Sequence, residues 1–162
     1  MSFVKIVKAL NFKQLLSLVG WFFKHPPYMV ATVFATVQTF RIAQKYFPYI
    51  HGRYNTANAF RHALWNVLIA KKCYRISGNL SKAILWAKTI TDWHEEFAPN
   101  DALAKAMDLH NNQVGREMYV QFANTTLDEM ADTIEAELDR AVKISAISQI
   151  AQVSGKMVYI ED

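Results

Sequence analysis

A single cysteine, Cys73, is present among 162 residues, so no disulfide can brace the chain from within. That absence removes the small disulfide-stapled scaffolds, and it fits folding in a reducing compartment or a fold that needs no bridge. Long apolar runs are also missing. The charge-free piece from His25 to Phe40 is sixteen residues and holds two prolines, short of the roughly twenty that span hydrocarbon. No transmembrane helix is expected. Lys5, Lys8, Lys13 and Lys24 are spread through the apolar N-terminus instead of preceding a short apolar block with a small-residue cleavage site. A conventional signal peptide is therefore not expected either. There is no internal repeat, no low-complexity tract and almost no period-two alternation. The largest absence is of acids. Residues 1–91 contain 13 Lys or Arg and no Asp or Glu, whereas residues 92–162 hold all 14 acids against five bases.

Such segregation exceeds what solubility requires. It fits an anionic partner, whether phospholipid headgroups, nucleic acid or an acidic protein, and it equally fits a basic half packed against the acidic half. With 52% hydrophobic residues the chain can bury a proper core as one domain.

Apolar spacing from Phe3 to Phe23 predicts an amphipathic helix stopped by His25-Pro26-Pro27. A second apolar helix follows over 28–50. Together, residues 1–50 form a basic, apolar helical pair suited to a membrane face, ahead of a helical core over 51–162, in one compact domain. After a turn at His51-Gly52, Asn55 or Thr56 caps a third helix to Ile76, closed by Ser77-Gly78-Asn79. A fourth runs from Leu80 to Phe97. Pro99-Asn100-Asp101 stops it and caps a fifth to Ala123, and Leu127 to Ser154 reads as a long acidic sixth. Only Met157 to Ile160 has the pattern of a short strand. The class is all-α, a bundle of about six helices.

Polar residues fall where helices are wanted. In the third helix Asn58, Arg61, His62, Trp65 and Asn66 share one face. In the fifth, "MDLHNNQVGR" puts Asp108, Asn111, Asn112 and Gly115 along one face, with Arg116 a turn beyond Asn112. Two asparagines and a glycine in mid-helix cost on the order of 2 kcal/mol against good helix formers. Residues accepted at that cost are chosen for what they face, and Gly115 implies another backbone or a ligand coming near. Between these helices, His94 and Glu95 diverge by about 100° around the fourth. His62, His94 and Asp108 form a candidate set for Zn, Mn or Fe. His62, Glu95 and Asp108 are candidate catalytic groups, with Glu95 as general base. Asn58, Arg61, Asn111, Asn112 and Arg116 are candidate substrate contacts, the arginines for phosphate. His25, His51 and His110 fall outside the set. More plainly, the same residues make a buried hydrogen-bond network, with Trp65, Trp86 and Trp93 in the core. Neither H-E-x-x-H nor a Cys/His cluster of metal spacing occurs.

"NAFRHALWN", "HEE" and "MDLHNNQVGR", in this order over Asn55 to Tyr119, resemble a family of small bacterial helical domains without assigned activity. These often stand at the C-terminal ends of large exported or polymorphic-toxin polypeptides. The resemblance singles out Arg61, His62, His94, Glu95, Asp108, Asn111, Asn112 and Arg116, and it implies a toxin or lytic enzyme, with a cognate immunity protein as partner. The order His62, His94-Glu95, Asp108 is also faintly similar to the H…HD…D of HD-type phosphohydrolases. Glu95 replaces that family's Asp, and Asp108 comes early, so only the chemistry carries over.

Two functions are expected from this pattern: a small hydrolase of an anionic ester or phosphate, phospholipid preferred, or a non-enzymatic membrane- or partner-binding helical protein. Nucleic acid ranks last, because the basic half is apolar and lacks dense Arg/Lys clusters. The place of action is cytoplasmic, peripheral to a membrane, or outside the cell by a route without a conventional signal.

Overall fold

The computed structural model describes residues 12–49, 54–97, 101–121 and 125–161. Seven α-helices and one two-stranded sheet are found among them. The all-α expectation holds. The expected helix before Phe12, the His51-Gly52 turn, Pro99-Asn100 and the end of the fifth helix beyond Gln121 lie outside the described residues.

Helix α1 (Phe12–Lys24) gives way at His25 to α2 (Pro26–Tyr46). Pro26 and Pro27 do more than stop α1. They occupy the first positions of α2, where no N–H is needed and a fixed φ suits the helix. In α3 (Thr56–Ser77) the Asn55 side chain accepts from Asn58 N at 3.1 Å, and Gly78 closes the helix at φ +62°. Next come α4 (Leu80–Phe97) and α5 (Ala102–Gln121), the latter capped by Asp101 Oδ1 on Ala104 N at 2.8 Å. A reciprocal Thr126/Glu129 capping box opens α6 (Leu127–Ala136).

Helix α3 is the axis of the molecule. Ala59, Ala63 and Ala70 are buried beside Phe60, Leu64, Leu68 and Ile69, so neighbours cover it on nearly all sides. It packs most extensively on α5, α2 and α4. Each fully buried Phe or Leu of this axis contributes about 1.5–3 kcal/mol.

The long sixth helix expected over Leu127–Ser154 is corrected. It ends at Ala136, passes through a 3₁₀ turn (Glu137–Arg140) and becomes strand β1 (Val142–Lys143). After a short helix α7 (Ile147–Ile150), β2 (Val158–Tyr159) pairs with β1 in parallel, Val142 opposite Val158. The cause is a second small core in which Ile144 and Val158 are buried with Met107 and Val142 packs against them. Residues two apart share a side in extended chain but diverge on a helix, so burying both Val142 and Ile144 there requires a strand. Met157 to Ile160 was expected to be extended, and it provides β2.

A candidate catalytic site at the foot of an apolar cleft

The polar faces of α3, α4 and α5 meet. Among the described residues, His62, Glu95 and Asp108 form a group whose ligand-capable atoms all lie within 4.8 Å of one another. His62 Nδ1 is 3.4 Å from Glu95 Oε1, and His62 Nε2 is 3.3 Å from Asp108 Oδ1. Gly115 makes the approach possible. A Cβ there would lie 2.3 Å from the carbonyl oxygen of Ala63 and 2.6 Å from its Cα, so α3 and α5 touch backbone to backbone one residue from His62.

A chain of hydrogen bonds fixes which nitrogen of His62 carries its proton. The Arg116 guanidinium can only donate, and its Nη1 gives to Asn66 Oδ1 at 2.9 Å. That leaves Asn66 Nδ2 to donate, which it does to Asn112 Oδ1 at 2.7 Å. Asn112 Nδ2 in turn gives to Glu95 Oε1 at 3.1 Å. Asn112 Oδ1, thereby an acceptor, sits 3.1 Å from His62 Nδ1, which must carry the hydrogen. Nε2 then holds the lone pair and faces Asp108. Asp108 Oδ1 accepts from Asn58 Nδ2 at 2.8 Å, while Arg61 Nη2 holds Asn58 Oδ1 at 2.6 Å.

Burial sets the charge. Loss of water drives the Glu95 carboxyl up to about 8, helped by the nearby Asp108 charge and opposed by the Asn112 bond. Asp108 rises to about 7 for the same first reason, opposed by Asn58 and Arg61. His62 falls to about 4, because burial and the Arg61 charge outweigh the Asn112 bond. The imidazole is thus neutral at pH 7, although its contacts with two carboxyls have ion-pair distances. A lone pair and a carboxyl oxygen 3.3 Å apart need a proton or a cation between them. Glu95 Oε2, on a side chain 1% exposed, has no hydrogen-bond partner among the described residues.

Above this group lies a cleft of about 220 Å³ walled by α1 to α4 and almost wholly apolar. Leu18, Met29, Val33, Phe40 and Ile90 line it, with Arg61, His62 and His94 as its ionisable members. His62 alone belongs both to this lining and to the three-residue group.

The sequence expectations divide accordingly. Asn58, Arg61, His62, Glu95, Asp108, Asn112 and Arg116 come together, but most stand behind His62. His94, expected as a ligand, is outside the group; it is exposed, packed edge-on against Trp65 with ring centroids 5.2 Å apart. Asn111, expected to touch substrate, is fully buried and clamps β2, giving Nδ2 to Val158 O at 2.8 Å and accepting Val158 N at 2.9 Å. Asn111→Ala is expected to cost about 1–3 kcal/mol and to speed amide exchange at Val158, with His62 titration unchanged; unaltered exchange would deny the clamp. Glu95 lies behind His62 and does not line the cleft. Trp65 and Trp93 wall the cleft; Trp65 also packs against the core, Trp86 lies within it, and Trp93 meets Trp21 and Phe97 edge-on.

Residues not anticipated are Thr91, which Arg116 Nη1 also reaches at 3.4 Å, and Thr32, Thr36 and Thr39 along the cleft. Their signal was a threonine stripe at helical spacing on an otherwise apolar helix. Thr32 and Thr36 accept the indole N–H of Trp86 and Trp65 at 3.0 and 2.9 Å, and so hold a core ring and a cleft ring in place.

No curated protein and no solved structure matches this chain. A family profile does, over residues 19–142, which takes in every cleft-lining residue but Leu18 together with the whole buried polar group. The chain accordingly belongs to the family described as Domain of unknown function (DUF6973).

Proposed function

We propose that the protein is a hydrolase of an anionic ester or phosphoester bearing an apolar tail, with phospholipid preferred. What carries this is the position of the His62 imidazole, 3.4 Å from Glu95 and 3.3 Å from Asp108, at the foot of an apolar cleft.

Hydrolysis needs a base for the attacking water and positive charge near the oxygen that becomes negative. With Asp108 ionised, so that no proton lies between Asp108 Oδ1 and His62 Nε2, Nε2 takes the water proton, the hydroxide attacks the ester, and Asp108 steadies the imidazolium until it returns that proton to the leaving group. Arg61, the cation of the cleft, pairs with the phosphate or carboxylate. Glu95, its carboxyl raised to about 8 by burial, stands behind the imidazole as a neutral acid at pH 7.

The same residues fit a divalent cation. His62, Glu95 and Asp108 would hold Mn, Fe or Zn: their ligand-capable atoms lie within 4.8 Å of one another, and Glu95 Oε2 has no hydrogen-bond partner among the described residues. Such a cation would polarise the ester or phosphate oxygen and acidify a water. Nε2 can be a ligand or a base but not both, so metal content separates the two versions. A role as a toxin-like effector, with an immunity protein covering the cleft, belongs to this same proposal.

A non-enzymatic binding role has one observation in its favour. The chain from Arg116 through Asn66 and Asn112 to His62 and Glu95 also ties α3, α4 and α5 together, as a purely structural network would.

Metal content and hydrolysis of nitrophenyl esters, bis-nitrophenyl phosphate and phospholipid micelles test the proposal in wild type, His62→Ala and His94→Ala. Hydrolysis is expected in wild type and lost in His62→Ala, while His94→Ala keeps any metal found. Absence of both metal and turnover across the panel would leave the structural network alone.

A further inference from the structure

We infer that α1 and α2 form a docking surface for an anionic lipid bilayer, seating the cleft at headgroup level so that an acyl chain can enter it. The substrate end of this inference rests on the hydrolase proposal; the docking surface does not.

Large apolar side chains are exposed on both helices. Leu16, Val19 and Phe23 follow one another at helical spacing on α1, and Val30 and Phe34 do so on α2, with Phe23 79% and Phe34 64% exposed. Val33 is both exposed and part of the cleft lining, so patch and cleft adjoin. Scattered apolar side chains on a surface need no explanation, but a contiguous group beside a cleft marks an interaction site.

Charge decides what covers it. Lys24, Arg41 and Lys45 are exposed on the same two helices. Neither helix carries an acid, and none of the three cations is ion-paired among the described residues. Acids come near at the C-terminal end of α2, where Tyr46, beneath Lys45, bonds Asp132 of α6. Exposed apolar side chains among cations that form no ion pair suit the boundary of an anionic leaflet, where burial and charge attraction act together. A second copy of the chain would bring two cationic faces together without an acid between them, which opposes self-pairing. No helix among the described residues is long and apolar enough to cross a membrane, so the contact is at the surface.

The test is co-sedimentation with phosphatidylcholine vesicles, with and without added phosphatidylglycerol. Wild type, Phe23→Asp/Phe34→Asp, Arg41→Glu/Lys45→Glu and His62→Ala are compared, with thermal midpoints as the folding control. Wild type is expected to bind phosphatidylglycerol vesicles well above phosphatidylcholine alone. Both double variants should lose at least about tenfold in partitioning with midpoints unchanged, and His62→Ala should bind like wild type. A monomeric short-chain lipid that shifts the tryptophan emission of the Phe double variant as it does that of wild type would place the cleft's ligand apart from docking and support the division made here. Wild type that ignores vesicles, variants that bind undiminished, or concentration-dependent dimerisation of wild type would each overturn the docking surface. Vesicle binding without any lipid hydrolysis would overturn only the hydrolase proposal.

Discussion

Gly115→Ala is expected to lower the thermal midpoint by roughly 10 °C, a net loss near 3 kcal/mol in a chain of this size. On an open helix the same change would add about 1 kcal/mol through propensity. Here the new methyl meets the Ala63 carbonyl oxygen at 2.3 Å and its Cα at 2.6 Å. These are backbone atoms of the most buried helix and cannot swing aside as a side chain would, so α5 must move away from α3. That movement separates Asp108 and Asn112 from His62, and the proposed hydrolysis should fall with stability. Gly20→Ala is the control: nothing lies within 4 Å of a Cβ there, and α1 should be unharmed or steadied. Thermal unfolding followed by circular dichroism measures both. An alanine at 115 as stable as wild type would mean the helices do not touch in this way.

Replacing His62 by Ala should reduce turnover by about 10²–10⁴-fold, the usual contribution of a positioned acid–base group. Its neighbours leave a second mark, on stability against pH. Burial moves Glu95 from 4.5 to about 8 and Asp108 from 3.8 to about 7, so the folded state holds these protons more tightly than the unfolded chain. Their contribution is full at low pH and is lost as pH rises through those windows. His62, lowered from 6.5 to about 4, acts oppositely and gains stability between those values. Below pH 6.5 the effects oppose one another; from about 6.5 to 8 only the carboxyls still titrate. Metal-free protein is therefore expected to lose stability over pH 6.5–8, and Glu95→Gln to flatten that decline. If a divalent cation binds, it should reverse the decline while releasing protons, because it needs both carboxylates ionised. Urea unfolding at a series of pH values measures this. A wild-type curve flat over that window would mean Glu95 is not held protonated.

Much of the site was legible from residues poor at forming helices. Asp108, Asn112 and Gly115 were costly enough locally to mark the inward face of α5, and Asn58, Arg61 and His62 likewise on α3. Caps at Asn55, Gly78 and Asp101 were legible because capping depends on atoms a few residues apart. The choice between His94 and Glu95 was harder. Their divergence follows from helix geometry, but which one turns inward depends on the rotation of α4 against its neighbours. Ala83, Ala87 and Thr91 are buried at four-residue steps, and Glu95 is the next step. That stripe selects Glu95 for the cluster and leaves His94 on the rim.

Sequence alone determined the helical class, the caps, the faces that carry chemistry and the charge asymmetry, because each depends on spacing along one chain. Only tertiary structure decided that the acidic C-terminal run bends into β1 to meet Val158, and that Asn111 clamps the β2 backbone. It also decided that His62 alone joins the buried carboxyls to the cleft. These outcomes depend on distances between residues about 15 to 50 positions apart, and such distances are fixed by how helices press together rather than by any local preference.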